Sequence, residues 1–292
     1  MAETSTDVRS VTLSDGRRLA YAEWGDPSGK PIFYFHGTPS SRLEHHPDED
    51  LTRARGARLI TVDRPGYGLS DFQPSRNLLD WPGDVTQLAD TLGINRFAVC
   101  GWSGGAPHAM SVAFKMPERV TQVALFSGAS PFDSPGVTDG MMVAEQAEFA
   151  LAGRLPWRVV HQAWQIIAWD FRRNPQAAYD SLLGMMQGVE REQFAAPAVR
   201  AVLQAAITEA YRQGGDAEAW EDRLLMAPWG FGPQDVEIAV HTWHGTGDTM
   251  APVPMGRALQ HSLRYGTTVW CEGEGHALWF SHWPEILDVL LA

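Results

Sequence analysis

The sequence has 292 residues, of which 44% are hydrophobic and 20% are charged, and its formal net charge is −12. These fractions exclude an intrinsically disordered chain and leave enough apolar side chains for one core with an insertion. The negative charge repels phosphate backbones and anionic lipid surfaces, so we expect neither nucleic acid nor a membrane as partner.

Short apolar runs alternate with helix-like segments over the first 130 residues. Residues 8–13 and 18–24 flank an Asp-Gly turn and predict a hairpin. Further runs of the kind that forms a strand buried on both faces are residues 31–36, 58–62, 97–100 and 122–126. Helix-like segments such as residues 84–92 separate them. This alternation predicts an α/β fold, with a mostly parallel central sheet and helices on both faces.

The strand signals disappear from residue 131 to about residue 234. Ala, Gln, Met and Trp dominate this segment, and Pro and Gly divide it into helix-length pieces. Strand character resumes at residues 238–243 and 267–271, and residues 284–291 predict a final amphipathic helix. We therefore predict a core formed by residues 1–130 and 235–292, with residues 131–234 inserted as a helical lid.

The N-terminal residues and the two cysteines bear on cellular location. Residues 1–10 are polar and lack the basic start and apolar stretch of a secretion signal. Cys100 and Cys271 each lie in an apolar run, which is typical of small core residues and not of a disulfide framework or a metal site. No run reaches the roughly 18 apolar residues of a membrane span. We predict a cytoplasmic protein without a bound metal.

The strongest chemical signal is the pentapeptide Gly101-Trp-Ser-Gly-Gly105, which stands between a strand-like run and a helix-like segment. A serine on such a sharp turn has a strained backbone, and small residues must flank it to avoid a steric clash. Its hydroxyl then projects at the carboxyl edge of the sheet. A glycine-rich turn with an incidental serine is the alternative, but the strand and helix context favours Ser103 as a nucleophile.

Two downstream loops offer the base and the carboxylate that a serine nucleophile needs. Asp248 follows one predicted strand, and His276 lies in the glycine-rich loop after the next strand. Both loops leave carboxyl ends of strands, where ligands bind in open α/β sheets. Asp133, which follows an earlier strand, is the alternative acid.

A third loop, His36-Gly-Thr-Pro39, leaves the strand-like run at residues 31–36. This turn can present the amide of Thr38 opposite the amide of Gly104, the residue after the nucleophile. Two such donors stabilise the oxygen that becomes negative in a tetrahedral intermediate. An ordinary strand-exit loop is the alternative, since His-Gly pairs are common in turns.

Together with Asp63-Arg-Pro-Gly-Tyr-Gly-Leu-Ser70, these motifs resemble the lidded α/β-hydrolase superfamily over about residues 8–291. The order of the candidate serine, acid and base is that of the superfamily. The resemblance implies no cofactor. The residues that match its nucleophile, acid and base are Ser103, Asp248 and His276, and those that match its oxyanion amides are Thr38 and Gly104.

The serine narrows the activities that the resemblance implies. Haloalkane dehalogenases and epoxide hydrolases carry an aspartate where this chain has Ser103, and the Gly-Gly-Ser-Trp-Gly pattern of proline iminopeptidases is absent. The leading prediction is a serine hydrolase that cleaves an ester, a lactone or a related acyl bond through an acyl-enzyme. Alternatives are a C–C bond hydrolase, an aminopeptidase like proline iminopeptidase, and a relative that binds without turnover.

The predicted lid is rich in Trp and Met, and such a surface above a polar triad suits an apolar or aromatic small molecule. Packing of the lid against the core is the alternative for any single residue. Several arginines of the lid offer a carboxylate-binding alternative. The sequence leaves the oligomeric state open. Candidate substrate-binding residues are Trp102, His36, Trp157, Trp164 and Trp220.

Overall fold

The computed structural model describes residues 9–292, so residue 8 of the predicted hairpin and the rest of the N-terminal segment lie outside the described residues. The strands are β1 (Arg9–Thr12), β2 (Arg18–Gly25), β3 (Lys30–Phe35), β4 (Ala57–Val62), β5 (Phe97–Trp102), β6 (Val120–Phe126), β7 (Val240–Gly245) and β8 (Gly266–Cys271). They form one sheet in the order β1-β2-β4-β3-β5-β6-β7-β8. Strand β2 pairs antiparallel with β1 and β4, and the remaining neighbours pair parallel.

Helices surround the sheet. They are α1 (Glu49–Ala54), α2 (Trp81–Thr91), α3 (Gly105–Lys115), α4 (Val143–Arg154), α5 (Trp157–Arg173), α6 (Pro175–Met185), α7 (Gly188–Ala195), α8 (Pro197–Ala210), α9 (Asp216–Met226), α10 (Val253–Ser262) and α11 (Trp279–Leu290). Among residues 9–292, no helix combines the length and the apolar character that crossing a bilayer requires.

The side chains of β3 alternate between the two faces of the sheet, as the two-residue period of a strand requires. Ile32 and Tyr34 belong to one buried cluster, which includes Trp279 of α11. Phe33 and Phe35 belong to a second cluster, which includes apolar residues of α2 and α3. Both faces of this central strand are therefore covered, and the predicted mostly parallel sheet with helices on both sides is confirmed.

The last helix begins earlier than the sequence indicates. It starts at Trp279, and Pro284 lies inside it instead of marking its first turn. Trp279 and Trp283 are both fully buried, and their rings lie 5.7 and 6.5 Å from that of Phe126. Burial of two tryptophans outweighs the loss of one backbone hydrogen bond at the proline.

Helices α4 to α9 lie between β6 and β7, and residues 127–239 contain no strand. Helix α5 carries a buried stripe of Val160, Trp164, Ala168 and Phe171, whose spacing is that of one helix face. The segment leaves the sheet at the carboxyl end of β6, and the chain re-enters the sheet at the amino end of β7, because these two neighbouring strands are parallel. The segment therefore begins at the edge of the sheet that carries the loops of the candidate site.

Candidate active site

Ser103 occupies the sharp turn between β5 and α3, where it is half-buried. Its φ angle is 52°, in the left-handed region that residues with side chains rarely adopt. Glycines flank Ser103 because the neighbouring backbone leaves no space for a β-carbon. A β-carbon on Gly101 would lie 2.4 Å from the Gly105 carbonyl oxygen, and one on Gly105 would lie 2.0 Å from that of Phe35. The turn thus fixes the serine at the carboxyl edge of the sheet.

Thr38 lies directly against this turn. A β-carbon on Gly104 would lie 2.3 Å from Thr38 Oγ1, so the two residues are in close contact. Gly104 precedes the first residue of α3, where backbone N–H groups have no partner inside the helix. Within residues 9–292, neither the Thr38 amide nor the Gly104 amide donates a hydrogen bond to another group. The two residues predicted to supply oxyanion donors are therefore in contact, and both amides are available to donate.

A buried arginine holds the loop that contains Thr38. Arg64 donates to the His36 carbonyl and, at 2.8 Å, to Thr38 Oγ1. Its Nε donates at 2.6 Å to Glu221 of α9, which also pairs with Arg76. Burial raises the pKa of Glu221, but the two arginines outweigh burial and hold that pKa well below its usual value. An ionised carboxylate of α9 therefore anchors the loop through Arg64.

A carboxylate and an imidazole meet after β7 and β8. Asp248 Oδ2 lies 2.9 Å from His276 Nδ1, and both side chains are buried. The Asp248 Oδ1 atom also accepts the amides of Met250 and Ala251, at 3.0 and 2.8 Å. Because Asp248 accepts at Nδ1, that nitrogen carries the proton and Nε2 is left to act as a base.

Each member of this pair stabilises the charged form of the other. Burial lowers the pKa of His276, but the charge and hydrogen bond of Asp248, together with the charges of Glu190 and Glu145, outweigh burial and leave the pKa above its usual value. Burial raises the pKa of Asp248, yet His276 reverses the effect and the net pKa is lowered. The imidazole is therefore suited to receive a proton beside a carboxylate that stays ionised.

Ser103 and His276 line the same cavity, which has a volume of about 460 Å³. Across the described residues, no hydrogen bond joins the serine hydroxyl to the imidazole. Such bonds are often long before a substrate is bound. The rest of the wall is mainly apolar and includes Trp102, Trp164, Phe171, Met185, Phe194 and Ile207. A wall of this kind suits an apolar small molecule.

Glu190, on α7, is a residue that the sequence analysis missed. It is buried, and it accepts the Thr249 amide at 2.8 Å and the His276 amide at 2.9 Å. Gln193, one helical turn later, accepts the Ala277 amide at 3.2 Å. Helix α7 therefore fastens the loop after Asp248 to the loop that carries His276. A single glutamate in a helical segment usually indicates a solvent-exposed face, so nothing in the sequence distinguishes Glu190 as a site residue.

The structure separates the five predicted substrate-binding residues into two groups. Trp102 and Trp164 line the cavity. His36, Trp157 and Trp220 do not. His36 is fully buried at the start of the loop that contains Thr38, where Nδ1 lies 2.7 Å from the Gly37 carbonyl and Nε2 accepts the Arg64 amide at 3.3 Å.

Trp157 and Trp220 pack against each other, with ring centroids 5.5 Å apart. Trp220 Nε1 also donates to the Arg76 carbonyl at 2.9 Å. They stabilise the contact between α5, α9 and the core, which is the packing alternative for these residues. The alternative acid, Asp133, is exposed after β6, whereas His276 Nδ1 is bonded to Asp248.

Comparisons with known proteins identify relatives of this chain. A proline iminopeptidase of Xylella fastidiosa is 32% identical over 133 residues, which cover 42% of this chain and 40% of that protein. In four relatives above 30% identity, the alignment spans less than half of the relative's own length. A bifunctional esterase/perhydrolase of Acinetobacter calcoaceticus is 24% identical over 276 residues, 92% of each chain.

Among solved structures, a hydrolase from Pseudomonas aeruginosa superposes with a TM-score of 0.71 at 17% identity, over 99% of this chain and 98% of that chain. This likeness concerns the fold. A sequence profile described as the alpha/beta hydrolase family matches residues 32–289, a span that includes Ser103, Asp248 and His276. The chain therefore belongs to the alpha/beta hydrolase family.

Proposed function

We propose that this protein is a serine hydrolase that cleaves an ester, a lactone or a related acyl bond of a small, largely apolar molecule. One observation carries the proposal: Ser103 and His276 line a single apolar cavity, and Asp248 is bonded to the far nitrogen of the imidazole. A strained serine, an oriented base and a buried carboxylate are the groups that acyl transfer needs. The esterase/perhydrolase that aligns over 92% of both chains supports this assignment.

In the first half of the reaction, Ser103 Oγ attacks the carbonyl carbon, and the hydroxyl proton passes to His276 Nε2. The carbonyl oxygen becomes negative and accepts hydrogen bonds from the amides of Thr38 and Gly104. When the tetrahedral intermediate collapses, the bond from carbon to the leaving oxygen breaks. His276 gives its proton to that oxygen, and the acyl group stays on Ser103.

In the second half, a water molecule attacks the acyl carbon and gives a proton to His276. The bond between that carbon and Ser103 Oγ breaks, and the proton returns to the serine. The products of an ester are an acid and an alcohol, and a lactone gives one hydroxy acid. One water is consumed, and this balance requires no cofactor.

We also propose that residues 131–234 act as a lid. Helices α4 to α8 supply Glu145, Trp164, Met185, Phe194 and Ile207 to the cavity wall, while the core supplies Ser103 and His276. An apolar wall opposite the reacting groups holds an acyl chain by excluding water from it. In this proposal, residues of the core carry out the reaction and residues of the lid select the substrate.

Labelling with a fluorophosphonate tests the proposal directly. We expect a covalent adduct on Ser103 and hydrolysis of p-nitrophenyl acyl esters. In Ser103→Ala we expect no adduct and a kcat lower by at least about 1,000-fold, since the nucleophile is absent. The thermal midpoint should stay within about 2 °C, because the hydroxyl is not part of the packed core. Unchanged turnover in Ser103→Ala, or an adduct on another residue, would contradict the assignment.

A further inference from the structure

One wall of the cavity is acidic. Glu145 and Glu148, one helical turn apart on α4, line the cavity that contains Ser103. Behind them, Glu218 and Asp222 of α9 are fully buried. Carboxylate oxygens of Glu148, Glu218 and Asp222 all lie within 4.8 Å of one another. Glu148 therefore belongs both to the cavity wall and to a buried cluster of carboxyl groups.

Two carboxyl oxygens of this cluster are buried without a partner. Glu218 Oε2 accepts the Tyr67 hydroxyl at 2.7 Å, and Asp222 Oδ2 accepts Trp164 Nε1 at 2.8 Å. The other oxygen of each, Glu218 Oε1 and Asp222 Oδ1, has no hydrogen-bond donor within residues 9–292. Leaving such acceptors unsatisfied is unfavourable, so each needs a donor, which is either a proton held on a neighbouring carboxyl group or a bound ligand.

The neighbouring arginines do not supply that donor. Arg64 and Arg76 both pair with Glu221, which holds the oxyanion loop as described above. Over the described part of the chain, no salt bridge reaches Glu145, Glu148, Glu218 or Asp222. The cluster therefore buries carboxyl groups that no neighbouring arginine neutralises.

The protonation state of these carboxyl groups is the one expected of an empty binding site for a cation. Burial, followed by the repulsion of neighbouring carboxylates, raises the pKa of Glu148 and of Glu218 well above the usual value. Burial raises the pKa of Glu145 to about 7 and that of Asp222 to about 8. Protons therefore neutralise part of the cluster at neutral pH, and a bound cation would replace them.

We propose that this cluster is the subsite for a primary ammonium group carried on the acyl part of the substrate. An ammonium group has three N–H donors, and Glu148, Glu218 and Asp222 offer three acceptor oxygens. Three acceptors at about 2.9 Å from a tetrahedral nitrogen lie at most roughly 4.7 Å apart, and the three carboxylate oxygens lie within 4.8 Å of one another, close enough to share one nitrogen. This inference rests on the proposed function, because Ser103 is taken to cleave the acyl bond.

The substrate class that follows has two parts. Its apolar part contacts the tryptophans, phenylalanines and methionines of the cavity, and its ammonium end meets the carboxyl cluster at Glu148, the member of the cluster that lines the cavity. Neutral esters fill the apolar part only. They should be cleaved, but they should leave the carboxyl cluster protonated.

Paired substrates test the inference. A series of p-nitrophenyl esters would carry acyl chains of increasing length that end in an ammonium group, each matched to the ester that ends in a methyl group. For at least one length we expect the ammonium ester to have a kcat/KM about 10-fold to 100-fold higher, the range of a charge-assisted hydrogen bond. Glu148→Gln and Asp222→Asn should remove this preference, and the exposed Glu118→Gln should keep it.

A binding measurement separates this inference from the proposed function. Hexylammonium chloride would be titrated calorimetrically into Ser103→Ala, with and without Glu148→Gln. Binding that depends on Glu148 supports the ammonium subsite even where no ester is cleaved. Cleavage of methyl esters without any ammonium preference would overturn the subsite and leave the hydrolase intact. Binding of CaCl₂ or MnCl₂ that Glu148→Gln abolishes would also overturn it, in favour of a metal site.

Discussion

The loops at the carboxyl edge of the sheet and the helices between β6 and β7 contribute to one cavity in different ways. The edge loops carry Ser103, Asp248 and His276 in short glycine-rich motifs, because close backbone approaches leave room only for glycine. The helices carry Glu145, Glu190 and Glu221 as single residues on ordinary helix faces. Site residues that need a particular backbone shape can therefore be predicted from the glycine motifs around them. Site residues that act through one long side chain on a helix cannot be predicted in this way.

The largest expected effect concerns the carboxylate of the edge loops. Asp248→Asn should lower kcat by about 1,000-fold to 10,000-fold, because the amide no longer fixes the imidazole proton on Nδ1. The matched control is Asp133→Asn, which changes an exposed carboxylate and should leave kcat nearly unchanged. Steady-state kinetics on one p-nitrophenyl ester measures both. The reverse ranking would transfer the acid role to Asp133.

A smaller effect is expected from Glu190, which tests whether the helices contribute to the acid–base pair. Glu190→Gln keeps one acceptor oxygen but loses the negative charge. In the native protein that charge raises the pKa of His276, with a smaller effect than burial or Asp248. The variant should therefore have a lower His276 pKa. Because His276 must be neutral to act as a base, the acid limb of the kcat profile should move to lower pH, with kcat falling by about tenfold or less.

Glu190→Ala serves as the comparison, since it removes both acceptors and leaves the Thr249 and His276 amides without this partner. We expect it to lower the free energy of unfolding by about 1–3 kcal/mol in addition. An acid limb that stays in place in Glu190→Gln would reduce this glutamate to a structural role.

The tryptophans of the helices test substrate selection. Trp164 lines the cavity, whereas Trp157 and Trp220 pack against each other outside it. Trp164→Ala should flatten the rise of kcat/KM with acyl chain length, reducing activity on long acyl chains about tenfold more than on acetates. Trp157→Ala and Trp220→Ala should keep the slope of the native protein. If all three variants keep it, selection depends on other residues.

The smallest expected effect is on stability and pH. Burial raises the pKa of Asp222 from its ordinary value of 3.8 to about 8, so the folded protein holds a proton that the unfolded chain has lost. This contribution to stability is present below about pH 4 and is lost as the pH rises toward 8. Asp222→Asn does not show this loss of stability, so its thermal midpoint relative to that of the native protein should be roughly 5 °C higher at pH 8 than at pH 5. A constant difference would contradict the raised pKa.

The sequence predicts the sheet and the edge loops because each depends on local pattern. The strand-like runs at β3 to β8 and the turn around Ser103 appear where they were expected, with Pro284 inside α11 as a departure. The helical segment is less accessible to prediction. Its aromatic residues indicate burial, but they do not say which of Trp157, Trp164 and Trp220 faces the cavity, since that depends on the orientation of α5 against α9.

The ionic contact between Arg64 and Glu221 limits how this protein can be recombined with its relatives. Grafting a foreign segment in place of residues 131–234 would keep the apolar contacts if volume and pattern were kept. It would leave Arg64 buried without a counter-charge unless the new segment supplied a carboxylate at the position of Glu221. An unpaired buried charge of this kind costs about 3–5 kcal/mol. Chimeras that exchange this segment in order to change the substrate should therefore keep Arg64, Arg76 and Glu221 together.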